Sequence, residues 1–384
     1  MRYEEFFGQK LVRTDNQQPG SAGSYSSIDD RVRFRYRLRL GMTATMGDWK
    51  GGLRLASGEN QGAANGNSDP ISTNTSFDTT DSKKPVYIDQ AYISYNPTWF
   101  SELTFSGGKM ENPFFYTPMV YDADWTPEGL AESFVFPVND QFQVFFTAAQ
   151  FAVEENARGT GQQASGNGRD IFLFGEQAGI DWKIIDKKLG WKSAVALYTF
   201  DGLNKTPITL PTAGNPLFAI PGTAAANVRE SMNTIDFNNQ IKLGFLGEKY
   251  PLTIYGDYIY NLAAVHRGSD GLDDGWYVGV KLGEAKKQGQ WEIAYWYESL
   301  GANAFLDAIV DSDFGYGGTN NEGHIIKGAY AVTDFMTLNL SFYIVENRDD
   351  FVANAPNVPG GAVVNGGDQR HQTTRVQFDA NMQF

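Results

Sequence analysis

Apolar and polar residues alternate one for one over long stretches of this chain. Between residues 31 and 40, Val32, Phe34, Tyr36, Leu38 and Leu40 fall on one side of an extended strand. Arg31, Arg33, Arg35, Arg37 and Arg39 fall on the other, because successive strand side chains point to opposite faces. A helix, with a period of roughly 3.6, would scatter both sets around its circumference. The same alternation returns at 335–346, where Met336, Leu338, Leu340, Phe342 and Ile344 oppose Thr337, Asn339 and Ser341. At 290–298, Trp291, Ile293, Tyr295 and Tyr297 oppose Glu292, Ala294, Trp296 and Glu298, with Trp296 the less clean position. At the end of the chain, Val376, Phe378, Ala380, Met382 and Phe384 oppose Arg375, Gln377, Asp379, Asn381 and Gln383. Strands of about ten residues with this pattern mark a transmembrane β-barrel.

A soluble sandwich alternates too, but its connections have no reason to keep a rhythm. Here short turns, near 46–49, 96–101, 137–140, 185–189, 247–250, 286–289 and 333–335, alternate with long loops. The long loops lie near 13–29, 58–85, 110–131, 154–168, 202–232, 263–273, 301–321 and 348–369. Short periplasmic turns and long extracellular loops are what an outer-membrane barrel shows. Trp49, Trp99, Trp182, Trp191 and Trp291 all fall beside short turns, as an aromatic girdle at one membrane interface would. Eight long loops imply eight hairpins, hence an all-β, antiparallel barrel of 16 strands over residues 1–384 as one domain. The expected strands are 1–12, 30–46, 48–58, 86–96, 101–110, 131–138, 140–153, 169–184, 189–201, 233–246, 250–262, 273–286, 290–300, 321–333, 335–347 and 370–384. A barrel of that size encloses an aqueous channel rather than a packed interior.

Composition narrows the partners. The net charge of -14 speaks against nucleic acid, whose phosphates need a basic surface. Cysteine is absent, so there is neither a disulfide framework nor a thiolate metal site. The opening Met1-Arg2-Tyr3-Glu4-Glu5 lacks the apolar core of an export signal, which reads as a mature or trimmed chain. The three histidines, His266, His324 and His371, lie far apart, with no zinc spacing and no nucleophile elbow, so no enzyme is expected.

Particular residues carry a family resemblance. Arg2-Tyr3-Glu4, the run Asp30 to Gly41, and Leu53-Arg54-Leu55-Ala56-Ser57-Gly58 look like the start of the putative-porin family of Gram-negative outer membranes. Asp89-Gln90-Ala91-Tyr92, Gly107-Gly108-Lys109, Asn112-Pro113-Phe114 and the run Asp122 to Ala131 are similar as well. The resemblance is dense over 1–131 and thinner beyond. It implies an integral outer-membrane pore for passive diffusion, commonly homotrimeric, with membrane lipid and lipopolysaccharide as surroundings and small polar solutes as cargo. It also implies that terminal Phe384 belongs to the signal read by the assembly machinery, and that the third long loop, 110–131, folds into the lumen and narrows it.

That layout suggests a mechanism. The arginine row cannot face lipid, where charge is costly, so it faces the lumen. Arg31, Arg33, Arg35, Arg37, Arg39, Arg54 and Arg375 form a basic wall, and Glu111, Asp122, Asp124 and Glu128 of the third loop oppose it. Opposed charges would set up a transverse field that orients polar solutes. The bland reading is that the arginines only pair with neighbouring acids while the loop acids sit in water. No cofactor is expected. Asp78, Asp81, Asp270, Asp273, Asp274, Asp311, Asp313, Asp349 and Asp350 suggest a solvated outer rim, with loosely bound Ca²⁺ as a lesser option. Other functions remain open: an anion- or phosphate-specific channel, a structural or adhesion barrel, and an outer-membrane lipase using His324.

Overall fold

The computed structural model describes residues 1–12, 31–59, 71–77, 83–155, 169–205, 215, 217–219, 226–228, 231–244, 247, 250–264, 272–315, 317–348 and 370–384. Its first strands are β1 (Arg2–Val12), β2 (Arg31–Tyr36), β3 (Arg39–Met46), β4 (Trp49–Ser57), β5 (Thr75–Ser76), β6 (Val86–Tyr95) and β7 (Leu103–Lys109). Next come β8 (Glu128–Asn139), β9 (Phe142–Glu154), β10 (Ile171–Ile185), β11 (Leu189–Asp201), β12 (Leu217–Ala219) and β13 (Ala226–Val228). The last are β14 (Asn233–Leu243), β15 (Leu252–Asn261), β16 (Asp274–Gly283), β17 (Trp291–Leu300), β18 (Asn321–Thr333), β19 (Met336–Asn347) and β20 (Arg370–Met382).

All but β12 and β13 belong to one 18-stranded sheet. β2 and β3 are halves of one strand, interrupted where its partner changes from the two-residue β5 to β4. Counting them once and setting β5 aside leaves the expected 16 wall strands. Each wall strand pairs antiparallel with its neighbours along the chain. β1 pairs with both β2 and β20, which brings the pairings round into a ring. Closure is what lipid demands, since an open edge would leave N–H and C=O groups without partners.

The two faces separate as the alternation predicts. Phe34, Leu40, Met42, Ile93, Val195, Leu340 and Phe378 are exposed on the outside. Glu4, Arg35, Gln177, Asp257, Glu298 and Arg375 are buried on the inside. Trp296, the awkward residue of its segment, also points inward and lies under the Lys327 ammonium. At the short-turn end, Trp49 packs on Tyr95, Trp182 on Phe142, and Trp291 on Tyr250, forming the expected girdle.

An outward cation should therefore be costly and an inward one tolerated. Val195→Arg is expected to destabilise the barrel by about 2–4 kcal/mol at mid-membrane. Ser133→Arg, on the lumen side, should cost under about 1 kcal/mol. Urea titration in lipid vesicles, followed by heat-modifiable gel mobility, compares them; equal costs would mean the faces are assigned wrongly.

Candidate functional site

The lumen holds the polar chemistry, and two long connections fold into it. The third, 110–127, is the one expected. Its Met110, Phe114, Met119, Val120 and Tyr121 are buried. Phe114 sits against Gly175 of β10, where any Cβ would meet the ring at 2.5 Å, so only glycine leaves room. Tyr121 stacks on Trp125 at 4.7 Å and meets Tyr198 edge-on at 5.3 Å. The Phe115 N–H donates to Gln177 Oε1 and Gln177 Nε2 donates to the Phe115 carbonyl, both at 2.8 Å. The Thr117 hydroxyl donates to Asp257 on β15.

The second inward segment, around 301–315, was expected in the outer rim. Its Phe305, Leu306, Ile309, Val310 and Phe314 are buried against the same cluster, with Phe305 5.4 Å from Tyr121. Its apolar run from Ala302 to Val310 distinguishes it from the polar loops and was the available signal. The segments meet at a joint. The Asp122 N–H donates to the Ile309 carbonyl at 2.8 Å, and the Ser312 N–H donates to Asp122 at 3.1 Å. The Asp311 N–H donates to the Pro118 carbonyl at 3.2 Å.

The arginine row lies on the lumen side, with its charges met at contact distance. Arg33 pairs with Glu4 at 2.7 Å. Arg35 reaches Glu4 at 3.9 Å and Glu59 at 3.5 Å. Arg37 and Arg39 both grip Asp124 of the third loop, at 2.8 and 2.6 Å. Arg54 pairs with Asp89, and Arg375 with Glu4 and Asp313. Arg31 is exposed at the start of β2. Glu4 and Arg2 were not expected in this network and Asp313 was expected in the outer rim, although Glu4 is the wholly buried hub. No local signal marks them, because strand pairing between β1, β2 and β20 and the inward course of 301–315 bring them together.

Of the loop acids, Asp124 alone meets the arginine wall. Asp122 is buried in the joint, and Glu111 is exposed at the loop's start. Glu128 is not a loop residue: β8 starts there, three residues before the expected 131. It shares the outward face with Leu130 and pairs with Lys109 at 3.0 Å. Opposed rows across an open gap are thus replaced by close pairs. Asp311 and Asp313, expected in the rim, lie at the joint and on Arg2 and Arg375. Asp78, Asp81, Asp270, Asp349 and Asp350 lie outside the described residues. No group of three or more His, Asp or Glu able to hold a metal ion occurs among the described residues.

The acids of the joint are electrostatically unequal. Burial, with Asp311 and Asp124 near, pushes the Asp122 carboxyl up to about 8. Burial and Asp313 push Asp311 up to about 6. Burial would raise Asp313 too, but Arg2 and Arg375 hold it well below the usual carboxylate range.

A family model described as putative porin matches residues 7–244 and 248–350. The chain belongs to that family. It is therefore an integral outer-membrane porin of Gram-negative type. In fold it is similar to Pseudomonas putida OprB at high pH, with a TM-score of 0.50 and 12% identity, covering 99% of this chain and 92% of that one. The outer membrane channel DcaP of Acinetobacter baumannii aligns at a TM-score of 0.47 and 12% identity, covering 100% and 95%. Comparison with curated protein sequences finds no significant match.

Two outcomes are expected of this porin. Gly175→Val should unseat Phe114 and loosen the third loop, raising single-channel conductance; unchanged conductance would show that Phe114 does not hold the loop. The second concerns pH. An undocked Asp122 ionises in the ordinary carboxylate range, whereas the docked one keeps its proton up to about 8. The joint is therefore strongest in acid and weakens as pH rises, until the dependence ends above about 8. Asp311 adds the same trend up to about 6. Between about pH 6 and 8, current fluctuations should grow in the native porin and stay flat in Asp122→Asn.

Proposed function

We propose that this porin passes small polar solutes and ions by passive diffusion through a lumen narrowed by two inward loops, with Arg37, Arg39 and Asp124 as its charged lip. The carrying observation is that the third loop delivers one carboxylate to two wall arginines. Arg37, a third exposed, presents charge to the passage, whereas Arg35 is 6% exposed and props the wall from behind. A couple of opposite charges in contact orients a passing dipole over a few ångströms, and rewards solutes able to replace ordered water.

Pairing of the whole row from Arg33 to Arg39 with carboxylates favours a general pore over an anion-specific one. A phosphate-type channel would keep several cations uncompensated. The channel reading also absorbs His324. That residue lies on the outer face, where the Tyr295 hydroxyl and its Nδ1 share a hydrogen bond of 2.9 Å, in an aromatic band with Tyr297 rather than beside an assigned nucleophile. Phe384, fully exposed and stacked on Phe335, is accessible as an assembly signal. Three copies form the working assembly in this reading.

Bilayer recording tests the lip. Under a salt gradient, Arg37→Ala with Arg39→Ala should shift the reversal potential toward cation selectivity and change conductance about twofold or more. Arg35→Ala should leave selectivity nearly unchanged. Identical reversal potentials in all three proteins would remove the lip from the mechanism.

A further inference from the structure

Between the third loop and the short-turn end, the lumen wall carries an open cavity of about 420 Å³. Sites for small organic ligands have this size. Phe115 and Tyr116 of the loop, Val135 of β8 and Phe145 of β9 form its apolar side. Gln143 of β9 and one cation, Lys192 of β11, lie on its polar side.

The rings are fixed before any solute arrives. Gln177 holds the Phe115 backbone through both the N–H and the carbonyl, and the Asn238 amide donates to the same carbonyl at 3.4 Å. The Phe145 ring lies over Gly179 of β10, where any Cβ would collide with it. Wall glycine and wall amide thus set the two rings independently of each other.

Lys192 is held differently from the arginine row. The arginines from Arg33 to Arg39 meet carboxylates at contact distance. Lys192 has Asp181 as its direct cross-strand neighbour, yet it forms no ion pair among the described residues. Its ammonium lies over two ring faces instead, 4.3 Å from the Phe115 centroid and 5.3 Å from that of Phe145. A ring face attracts an ammonium less than a carboxylate in contact does where water is partly excluded. The charge is therefore stored against the rings and free to move to an incoming anion.

We propose that this cavity is a binding site for aromatic carboxylates. The carboxylate draws the Lys192 ammonium off the rings and pairs with it. That uncovers the Phe115 and Phe145 faces, and the ring of the same solute covers them again by offset or edge contact. A small anion pairs with Lys192 but leaves the faces wet. A neutral aromatic leaves the ammonium in place over them. Only a solute with both parts completes the exchange. Asp181 opposes it by repulsion and sets an upper limit on affinity, which suits a site that must release its solute toward the periplasm. The inference rests on the channel reading above and names a solute class that the pore retains beyond its lip.

Bilayer recordings with sodium benzoate, sodium acetate and benzamide test it. Benzoate should add saturable current noise, half-effective at a concentration at least about tenfold below that of acetate or benzamide. Lys192→Met should raise the benzoate value about tenfold, and Lys192→Arg should bring it back to within about threefold. Phe145→Leu should weaken benzoate about fivefold and leave acetate as it was. Equal potency of the three probes overturns the site and leaves the channel reading intact. So does benzoate noise that survives Lys192→Met in a barrel of native heat-modifiable mobility. A folded barrel that passes no ionic current overturns the channel reading instead. The site is then decided by saturation-transfer NMR of benzoate on the folded porin in detergent: a signal lost in Lys192→Met supports it, and an equal signal in both proteins overturns it.

Discussion

The closed ring of backbone hydrogen bonds is the constraint from which the rest follows. In lipid a strand edge has no partner, so the wall must return on itself, and β1 does so by pairing with β2 and β20. Once the ring is closed, strand alternation has only two destinations, lipid and lumen. Charged residues at alternate positions go inward by default. That is why an unbroken row of arginines can exist in an integral membrane protein.

Concentrating charge in the lumen creates a second problem, since buried arginines need partners. Closure also solves it. The β1–β2 and β1–β20 registers bring Glu4 opposite Arg33 and beside Arg375, and Arg2 opposite Asp379. The inward segment at 301–315 adds Asp313 to the same group. The third loop adds Asp124 to Arg37 and Arg39. The charged wall is thus also the anchor for both loops. Changing the lip and changing loop position are coupled, which is why a buried arginine and an exposed one give different outcomes.

The loops are held by apolar packing as much as by charge. Phe114, Tyr121, Tyr198 and Phe305 form an aromatic cluster inside what the strand pattern alone would call a water-filled tube. Glycine on the wall makes the seat, aromatics on the loops fill it, and the raised Asp122 carboxyl leaves the joint sensitive to pH. On the outside the same alternation makes exceptions visible. Glu5, Glu132 and Glu176 stand out because the residues on that face are mostly apolar.

The sequence by itself determined the strands, their number, both faces and the lumen side of the arginines, because a period of two leaves no freedom once one face meets lipid. It also placed the third loop through family resemblance. It missed the early start of β8, since Glu128 and Gly129 read as loop chemistry until β7 and β9 pair with them. Only the tertiary structure decided which acid meets which arginine. Glu4 and Arg375 are 371 residues apart in sequence, and Arg37 and Asp124 are 87 apart. Strand register and loop docking set such pairs, and neither is written locally. The inward course of 301–315 was likewise fixed by an aromatic cavity that exists only after β9, β10 and β11 are side by side.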